Sequence, residues 1–510
     1  MPHGNRLRSV LALAVLAAVI AAARLLTYDE PLERDITGAA VMGRELLEGR
    51  ALYSDVWDHK PPAMHVTHAL SQRVAGYGRG AIYLLGTTAA IVTLLGVHAA
   101  GVAAGGPTAG LWAAAFWTVV SGDLWLQGNQ PNTEAFINAC LVWAFVLLVR
   151  VERGAPGVGR FVAVGALFAL ASLYKSVNVA SAAALALAWL AWPPPDAGGR
   201  RRALVSVAAM AAVGLVVWVL VVGYFAATGR LGAFNEAVFA YNRFYAGSIT
   251  ANLLKLFTPA VHRAMISTIP IVTFVAVGAV LGLFRGDRRR WVFLLAWAAG
   301  TAVAVAAPGK FYPHYSQLWL PLLAVGGGWA AGVLARLAPP RLASLPHLAG
   351  FIVIALLVVY QLPLYQLSPD DFSKAKYRTD LFVEERSLAR ELVTLLTPEE
   401  SFYEFGAEMG LYFESRRRPV TGAFYAYPLL SGPVAAKLSE RVVKDLARRP
   451  PDLFVVADWA AGARNPVLDW AKAHYRLAPG DPMRGPFLLY VRPGSALERR
   501  MDAAPTRPGR

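Results

Sequence analysis

Runs of about 20 apolar residues, separated by short polar breaks, recur through the first 365 positions of this 510-residue chain. That length lets an α-helix cross the hydrocarbon core of a bilayer. The pattern predicts about eleven spans, near 9–26, 80–100, 108–126, 133–149, 161–173, 177–192, 204–226, 264–284, 291–307, 317–335 and 348–363. Past residue 365 charges become frequent and no run of that length remains. The stretch DFSKAKYRTDLFVEERSLARELVTLL has apolar residues at helical spacing, and VAAKLSERVVKDLARRP reads as a helix that stops before Pro450. PDLFVVAD and PFLLYVRP are short apolar runs bounded by Pro and Asp or Arg, as buried strands are. Helices alternating with strands suggest a small α/β domain. The expected architecture is an all-α polytopic membrane bundle over 1–365, an α/β domain over 366–500 outside the membrane, and a disordered tail over 501–510.

Composition supports this division. Hydrophobic residues make up 56% and charged residues only 16%, against roughly a quarter charged in a soluble domain. The formal net charge of +16 is explained by where the arginines fall. Arg6 and Arg8, Arg150, Arg153 and Arg160, Arg200 to Arg202, Arg285 to Arg290, and Arg336 with Arg341 occupy alternate loops. Such a bias sets orientation, and it puts the N-terminus in the cytoplasm and the C-terminal domain on the far side of the cell (inner or plasma) membrane. No basic stripe with interleaved aromatics appears, which argues against nucleic acid as a partner. The single cysteine, Cys140, lies within an apolar span, so no disulfide framework or cysteine metal site is expected. The first span reads as an uncleaved anchor rather than a signal peptide, because an acidic loop follows it that needs tethering at the membrane.

Two loops on the outer side are longer than connection requires, and long ordered loops tend to be functional. One runs over 227–263, is rich in aromatics, and carries Arg243, Lys255, His262 and Arg263. Its composition suits amphipathic helices lying on a lipid surface, with membrane lipids as partners. The other, over 27–79, concentrates Asp29, Glu30, Glu33, Asp35, Asp55 and Asp58, then ends in His59-Lys60-Pro61-Pro62. Ile36, Ala40, Met42, Leu46 and Leu47 mark a helix there, with Gly49 as its C-terminal stop. Asp35 falls at its start. It is either a helix cap favoured by the dipole, or a general base whose pKa is raised by apolar surroundings. The two prolines fix the backbone after Lys60. Lys60 then either snorkels at the interface or meets a phosphate or a carboxylate.

Other candidates lie near the ends of later spans. In LQGNQPNTEAF, Asn132 is placed to cap a helix and Glu134 to complement its dipole or face a cavity. Lys175, in SLYKSVN, sits among apolar helices, where a charge is costly and marks a functional site unless it snorkels. In PGKFYPHYSQLWLPLL, Lys310, Tyr312, His314 and Tyr315 cluster before a span. The tyrosines fit an aromatic belt. His314 can orient a phosphate or acceptor, ligate a divalent metal, or make an ordinary hydrogen bond.

The first loop carries a pattern, G-x-x-x-Y-x-D-x-x-x-x-K-P-P, formed by Gly49, Tyr53, Asp55, Lys60, Pro61 and Pro62, with Asp58 inside it. Together with the upstream acid it resembles the first extracytoplasmic loop of polyprenyl-phosphate-sugar-dependent glycosyltransferases. These form the dolichyl-phosphate-mannose protein mannosyltransferase-like superfamily, glycosyltransferase family 39, with bacterial relatives that include aminoarabinose transferases. The resemblance extends in pattern over roughly 25–330. It implies the C-type glycosyltransferase fold, a polyprenyl-phosphate sugar as donor, and a cell-envelope acceptor that is lipid, glycan or protein. It matches the catalytic acids to Asp35 and Glu134. Donor phosphate contacts fall to Lys60, Lys175, Lys310, His314 and Tyr315. A single displacement would invert the anomeric centre. The chain departs from the family at Ile36, where many relatives have Glu, while the intact pair Asp29-Glu30 lies further upstream. Two readings from other classes compete. A transporter or flippase of a lipid-linked sugar would show inverted repeats and broken helices, which the sequence lacks. An assembly scaffold would use the C-terminal domain to bind a partner.

Overall fold

The computed structural model describes residues 3–150, 157–193, 199–258, 265–285 and 288–503. Among them, seven helices are long and apolar enough to cross a membrane: 7–26, 79–103, 200–227, 266–284, 288–306, 313–337 and 340–365. Three shorter apolar helices, Thr133–Val149, Val158–Tyr174 and Ser176–Ala191, fall where further spans are expected. Helix α4 (Arg79–Val120) bends at Gly106, whose φ of +79° and neighbour Pro107 break its geometry and give a second apolar leg over 107–120. These segments follow the pattern read from the sequence, with one shortening. The third span ends at Val120, not near 126, because 121–132 turns back as a polar loop. The chain is a multi-pass membrane protein.

Two compact units emerge. The helical unit comprises 1–28, 83–224 and 246–367. The α/β unit comprises 29–82, 225–245 and 368–510, so it takes in the first long loop and part of the second. Of that second loop, the described part forms Leu231–Asn235, a π-helical turn Glu236–Tyr241, Asn242–Ala246 and Ile249–Lys255. His262 and Arg263 lie outside the described residues.

The α/β unit is built on five strands: β1 (Phe402–Phe405), β2 (Leu453–Ala457), β3 (Arg476–Leu477), β4 (Met483–Arg484) and β5 (Phe487–Val491). β2 pairs parallel with β1 and antiparallel with β5, so the two expected strands are direct neighbours. β1 and β2 are buried along their whole length. Helices supply the covering layer. Three local expectations change. The amphipathic stretch after 368 is two helices, Pro369–Tyr377 and Leu381–Leu395, divided where Arg378 adopts a left-handed φ of +56°. The strand β1 has no alternating pattern to announce it, since Glu404 points inward among aromatics. Of the residues expected in a tail, Met501 to Ala503 are helical and complete a last helix, Ala496–Ala503; residues 504–510 lie outside the described ones.

Candidate active site

In the α/β unit, helix α2 (Arg34–Leu47) carries Asp35 in its first turn. The cap is Glu33, whose carboxylate accepts the Asp35 backbone N–H at 3.0 Å. Asp35 therefore does not cap the helix, and its carboxylate is left for other partners. The helix ends at Leu47, and Gly49 takes a φ of +84° just beyond it, the conformation that a glycine adopts without steric cost.

The segment from Ala51 to Pro62 folds into a tight loop. Asp55 accepts the Ala51 N–H at 2.8 Å and closes the turn. Tyr53 takes a left-handed φ of +72°, is buried against Phe225 and Phe234, and donates its hydroxyl to the Lys60 carbonyl at 2.8 Å. Pro62 then precedes helix α3 (Ala63–Ala75). Tyr53 and the prolines thus fix the backbone of Lys60 from both sides.

Lys60 Nζ lies 3.1 Å from Asp35 Oδ1 and 3.8 Å from Asp58 Oδ2. Burial works against its charge, but Asp35 and Asp58 hold its pKa above the usual lysine value. Asp58 is the hub of this arrangement. Its Oδ1 accepts the His59 N–H at 2.6 Å and the Tyr425 hydroxyl at 3.1 Å, and His59 Nδ1 lies 3.1 Å away. Burial would raise its pKa, but Lys60 and His59 hold it well below the carboxylate range. His65 and His68 are buried behind it. Desolvation pulls their pKa values down to about 4 and about 3, so both are neutral. Glu33 goes the opposite way. Burial, and then the neighbouring Asp35, push its pKa up to about 8. One carboxyl of the cluster therefore stays protonated near neutral pH while Lys60 keeps its charge.

The helical unit holds a second lysine–carboxylate pair. Glu134 lies in the first turn of helix α5 (Thr133–Val149). Asn132 occupies the cap position, but its side chain makes no capping hydrogen bond. Lys175 follows helix α6 (Val158–Tyr174) and extends the chain before a short 3₁₀ turn. Its Nζ is 2.9 Å from Glu134 Oε1 and 3.3 Å from the centre of the Tyr315 ring. Tyr315 in turn meets His314 edge to face, and His314 Nδ1 lies 3.1 Å from Gln127 Oε1. Lys310 is exposed, just before a second 3₁₀ segment, Pro313–Trp319, that carries His314 and Tyr315. Among the described residues no group of three or more His, Cys, Asp or Glu side chains is arranged to hold a metal ion. His314 has an amide and two phenol rings around it instead.

Sequence reasoning picked out Asp35, Asp58 and Lys60 individually and left two of their supports unseen. Glu33 was one acid among many. Tyr425 lies more than 360 positions away, in a stretch with no motif of its own. Glu30, half of the upstream acidic pair, is buried and paired with Lys376 at 2.5 Å.

No family model matches the chain, and no curated protein matches it in sequence. Solved structures do. ArnT from Cupriavidus metallidurans bound to undecaprenyl phosphate superposes with a TM-score of 0.58 at 15% identity, over 95% of this chain and 98% of that one. The apo oligosaccharyltransferase from Archaeoglobus fulgidus gives 0.54 at 11% identity, over 95% of this chain and 74% of that one. The chain has a C-type glycosyltransferase fold. The archaeal oligosaccharyltransferase AglB in complex with an inhibitory peptide and a dolichol-phosphate gives 0.50 at 12% identity, over 97% of this chain and 77% of that one. At such identities the shared C-type fold is the finding, and the chemistry has to be argued from the residues.

Proposed function

We propose that this protein is an integral-membrane glycosyltransferase. It moves a monosaccharide from a polyprenyl-phosphate carrier to a cell-envelope acceptor on the outer face of the membrane. The observation that carries this reading is the Asp35 carboxylate: 32% exposed, not used as a helix cap, and held at 3.1 Å by a lysine that cannot easily lose its charge.

An acceptor hydroxyl attacks the anomeric carbon, a new C–O bond forms, and the bond from that carbon to the carrier phosphate breaks. The hydroxyl proton passes to Asp35. The phosphate leaves as a monoester and gains one negative charge as Asp35 loses its own. An ammonium bonded to the base is well suited to this exchange, because its attraction transfers from the neutralised carboxyl to the phosphate. Lys60 is that ammonium in the α/β unit. Lys175 is the corresponding candidate in the helical unit, with Tyr315 under its ammonium, His314 against Tyr315, and Lys310 a few residues before them in the chain. Glu134, buried and bonded to Lys175, orients that lysine. The undecaprenyl phosphate bound by ArnT and the dolichol-phosphate bound by AglB support a lipid phosphate as the carrier. The arginine-rich alternate loops support a cytoplasmic N-terminus.

Asp35→Asn is the test. Transfer from a radiolabelled polyprenyl-phosphate sugar in purified membranes is expected to fall by about a thousandfold, within the range for a general base. Polyprenyl phosphate binding is expected to persist. Turnover that survives the substitution would overturn the assignment of the base.

A further inference from the structure

From the residue before Asp35 the α/β unit builds a closed ring of four side chains from four separate segments. Arg34 Nη1 donates to the Tyr427 hydroxyl at 2.7 Å, and Arg34 Nη2 lies 3.3 Å from Glu408 Oε1. Trp459 Nε1 donates to the same Glu408 oxygen at 3.3 Å. The ring closes where Tyr427 and Trp459 stack, centroids 5.1 Å apart and planes 24° apart. Glu408 is fully buried, and its other oxygen accepts the Ala407 N–H at 2.7 Å. Burial and then Glu408 raise the pKa values of its neighbours Glu385 and Glu404 well above the carboxylate range, so those two stay neutral behind it.

The two aromatic rings are not buried by this arrangement. Both are 44% exposed, although each hydrogen-bonding end is tied to the protein. A large aromatic side chain normally hides its faces, because those faces supply most of the burial energy. Here the polar ends are fixed, the rings cover part of each other, and much of their remaining carbon surface is left to solvent. The surroundings are charged: Arg34 bonds Tyr427 and Glu408, and the exposed Asp458 precedes Trp459 in the chain. An aliphatic chain or an amphipathic helix requires a continuous apolar surface, which this is not. A sugar ring matches both features. Its C–H face stacks on aromatic carbon, and its hydroxyls reach the charged groups around the edge. The four-membered ring holds the aromatics in place beforehand, so little rotamer entropy is lost on binding.

We infer that Tyr427 and Trp459 form the acceptor subsite, and that the acceptor is therefore a glycan or glycolipid presenting a pyranose ring rather than a peptide. This rests on the glycosyltransferase reading and deepens it. Arg34 supports the platform, and Asp35 is the next residue along α2, so the subsite is tied to the proposed base by one peptide bond.

The full-length protein in nanodiscs, labelled with 5-fluorotryptophan, tests this by fluorine NMR. The Trp459 resonance is identified by its loss in Trp459→Phe. Titration with methyl α-glucopyranoside and methyl N-acetyl-β-glucosaminide is expected to shift it, and Tyr427→Ala is expected to weaken that shift. A Ser-Thr-containing tripeptide is the control and is expected to leave it unmoved. In turnover, Trp459→Ala is expected to raise the KM for a glycan acceptor about tenfold, with kcat and the donor KM little changed. A shift with the tripeptide, or none with the glycosides, overturns the subsite. The two readings fail separately. Normal transfer with an unchanged acceptor KM in Trp459→Ala removes the subsite alone. A glycoside shift in a protein that transfers no polyprenyl-phosphate sugar removes the enzyme reading and leaves the sugar site.

Discussion

In the Lys60–Asp35 pair the acid is the more exposed partner, 32% against 20%; in the Lys175–Glu134 pair the lysine is, 22% against 1%. The same two charges are thus presented to solvent in opposite order. A reachable carboxylate backed by a fixed ammonium is suited to taking a proton. A reachable ammonium backed by a buried carboxylate is suited to holding an anion. The supports differ as well. Lys60 serves two carboxylates, and Asp58, one of them, is bonded in turn to His59 and Tyr425. Lys175 has one carboxylate and one aromatic face. The first arrangement is a network and the second a pair.

Lys60→Met should expose that difference with the largest effect. It removes the counter-charge of both Asp35 and Asp58, and Asp58 is buried. Transfer should fall by about a thousandfold, and stability by roughly 3 kcal/mol, the cost of leaving a buried charge uncompensated. Because two acids depend on this lysine, adding Asp35→Asn should recover only part of the stability. Full recovery in the double variant, by thermal unfolding in detergent, would show that Asp58 does not depend on Lys60 and that the network is no more than a pair.

Lys175→Met tests the other side. It should also destabilise the protein, since Glu134 is left buried and unpaired. Here the double variant with Glu134→Gln should return to within about 1 kcal/mol of the native stability, because both charges of a simple pair are then gone. Transfer should stay low in both variants. A double variant that regains activity would remove Lys175 from the phosphate-binding role.

Much of this was legible in the sequence, and for a physical reason. A bilayer demands apolar runs of fixed length, so the spans and the kinked fourth helix follow from hydropathy and Gly106-Pro107. The first-loop pattern isolates Tyr53, Asp55, Lys60, Pro61 and Pro62, each of which shapes the Lys60 loop through local bonds. What could not be read is whatever depends on partners far along the chain. Tyr425 on Asp58, Lys376 on Glu30 and the ring of Arg34, Glu408, Tyr427 and Trp459 each join positions hundreds of residues apart. Strand β1 was missed because Glu404 interrupts an otherwise apolar run. Position alone allows Asp35 to be either a cap or a base, and the cap turns out to be Glu33, two residues earlier, which has the extended backbone that a cap requires.

Tyr425→Phe is a milder probe of the network. It removes one O–H donor to Asp58 and leaves the ring in place. A hydrogen bond to a charged group is worth about 2 kcal/mol; the remaining bonds to His59 and Lys60 should limit the loss to about 1 kcal/mol. Asp58 then holds Lys60 less firmly, and kcat should fall a few-fold with the donor KM little changed. An unchanged kcat would mean that Lys60 is set by Asp35 alone.

The most specific effect, absent in acid and growing with pH, belongs to Glu33→Gln. Burial and the Asp35 charge raise the Glu33 pKa from 4.5 to about 8, so the folded state prefers the protonated form. Such a group contributes its stability fully below about pH 4.5, and that contribution is lost as pH rises through about 8. The slope in that window is at most about 1.4 kcal/mol per pH unit for one proton. Glutamine keeps an oxygen that can accept the Asp35 N–H, so the cap survives while the titration disappears. The variant should match the native protein in acid, exceed its unfolding temperature by a margin that grows from about pH 4.5, and keep the full margin above about pH 8, where the native protein must carry three carboxylates around one lysine. Parallel curves at all pH values would mean that Glu33 is already charged in the folded protein, and the protonated member of the cluster would have to be sought in Asp35 itself.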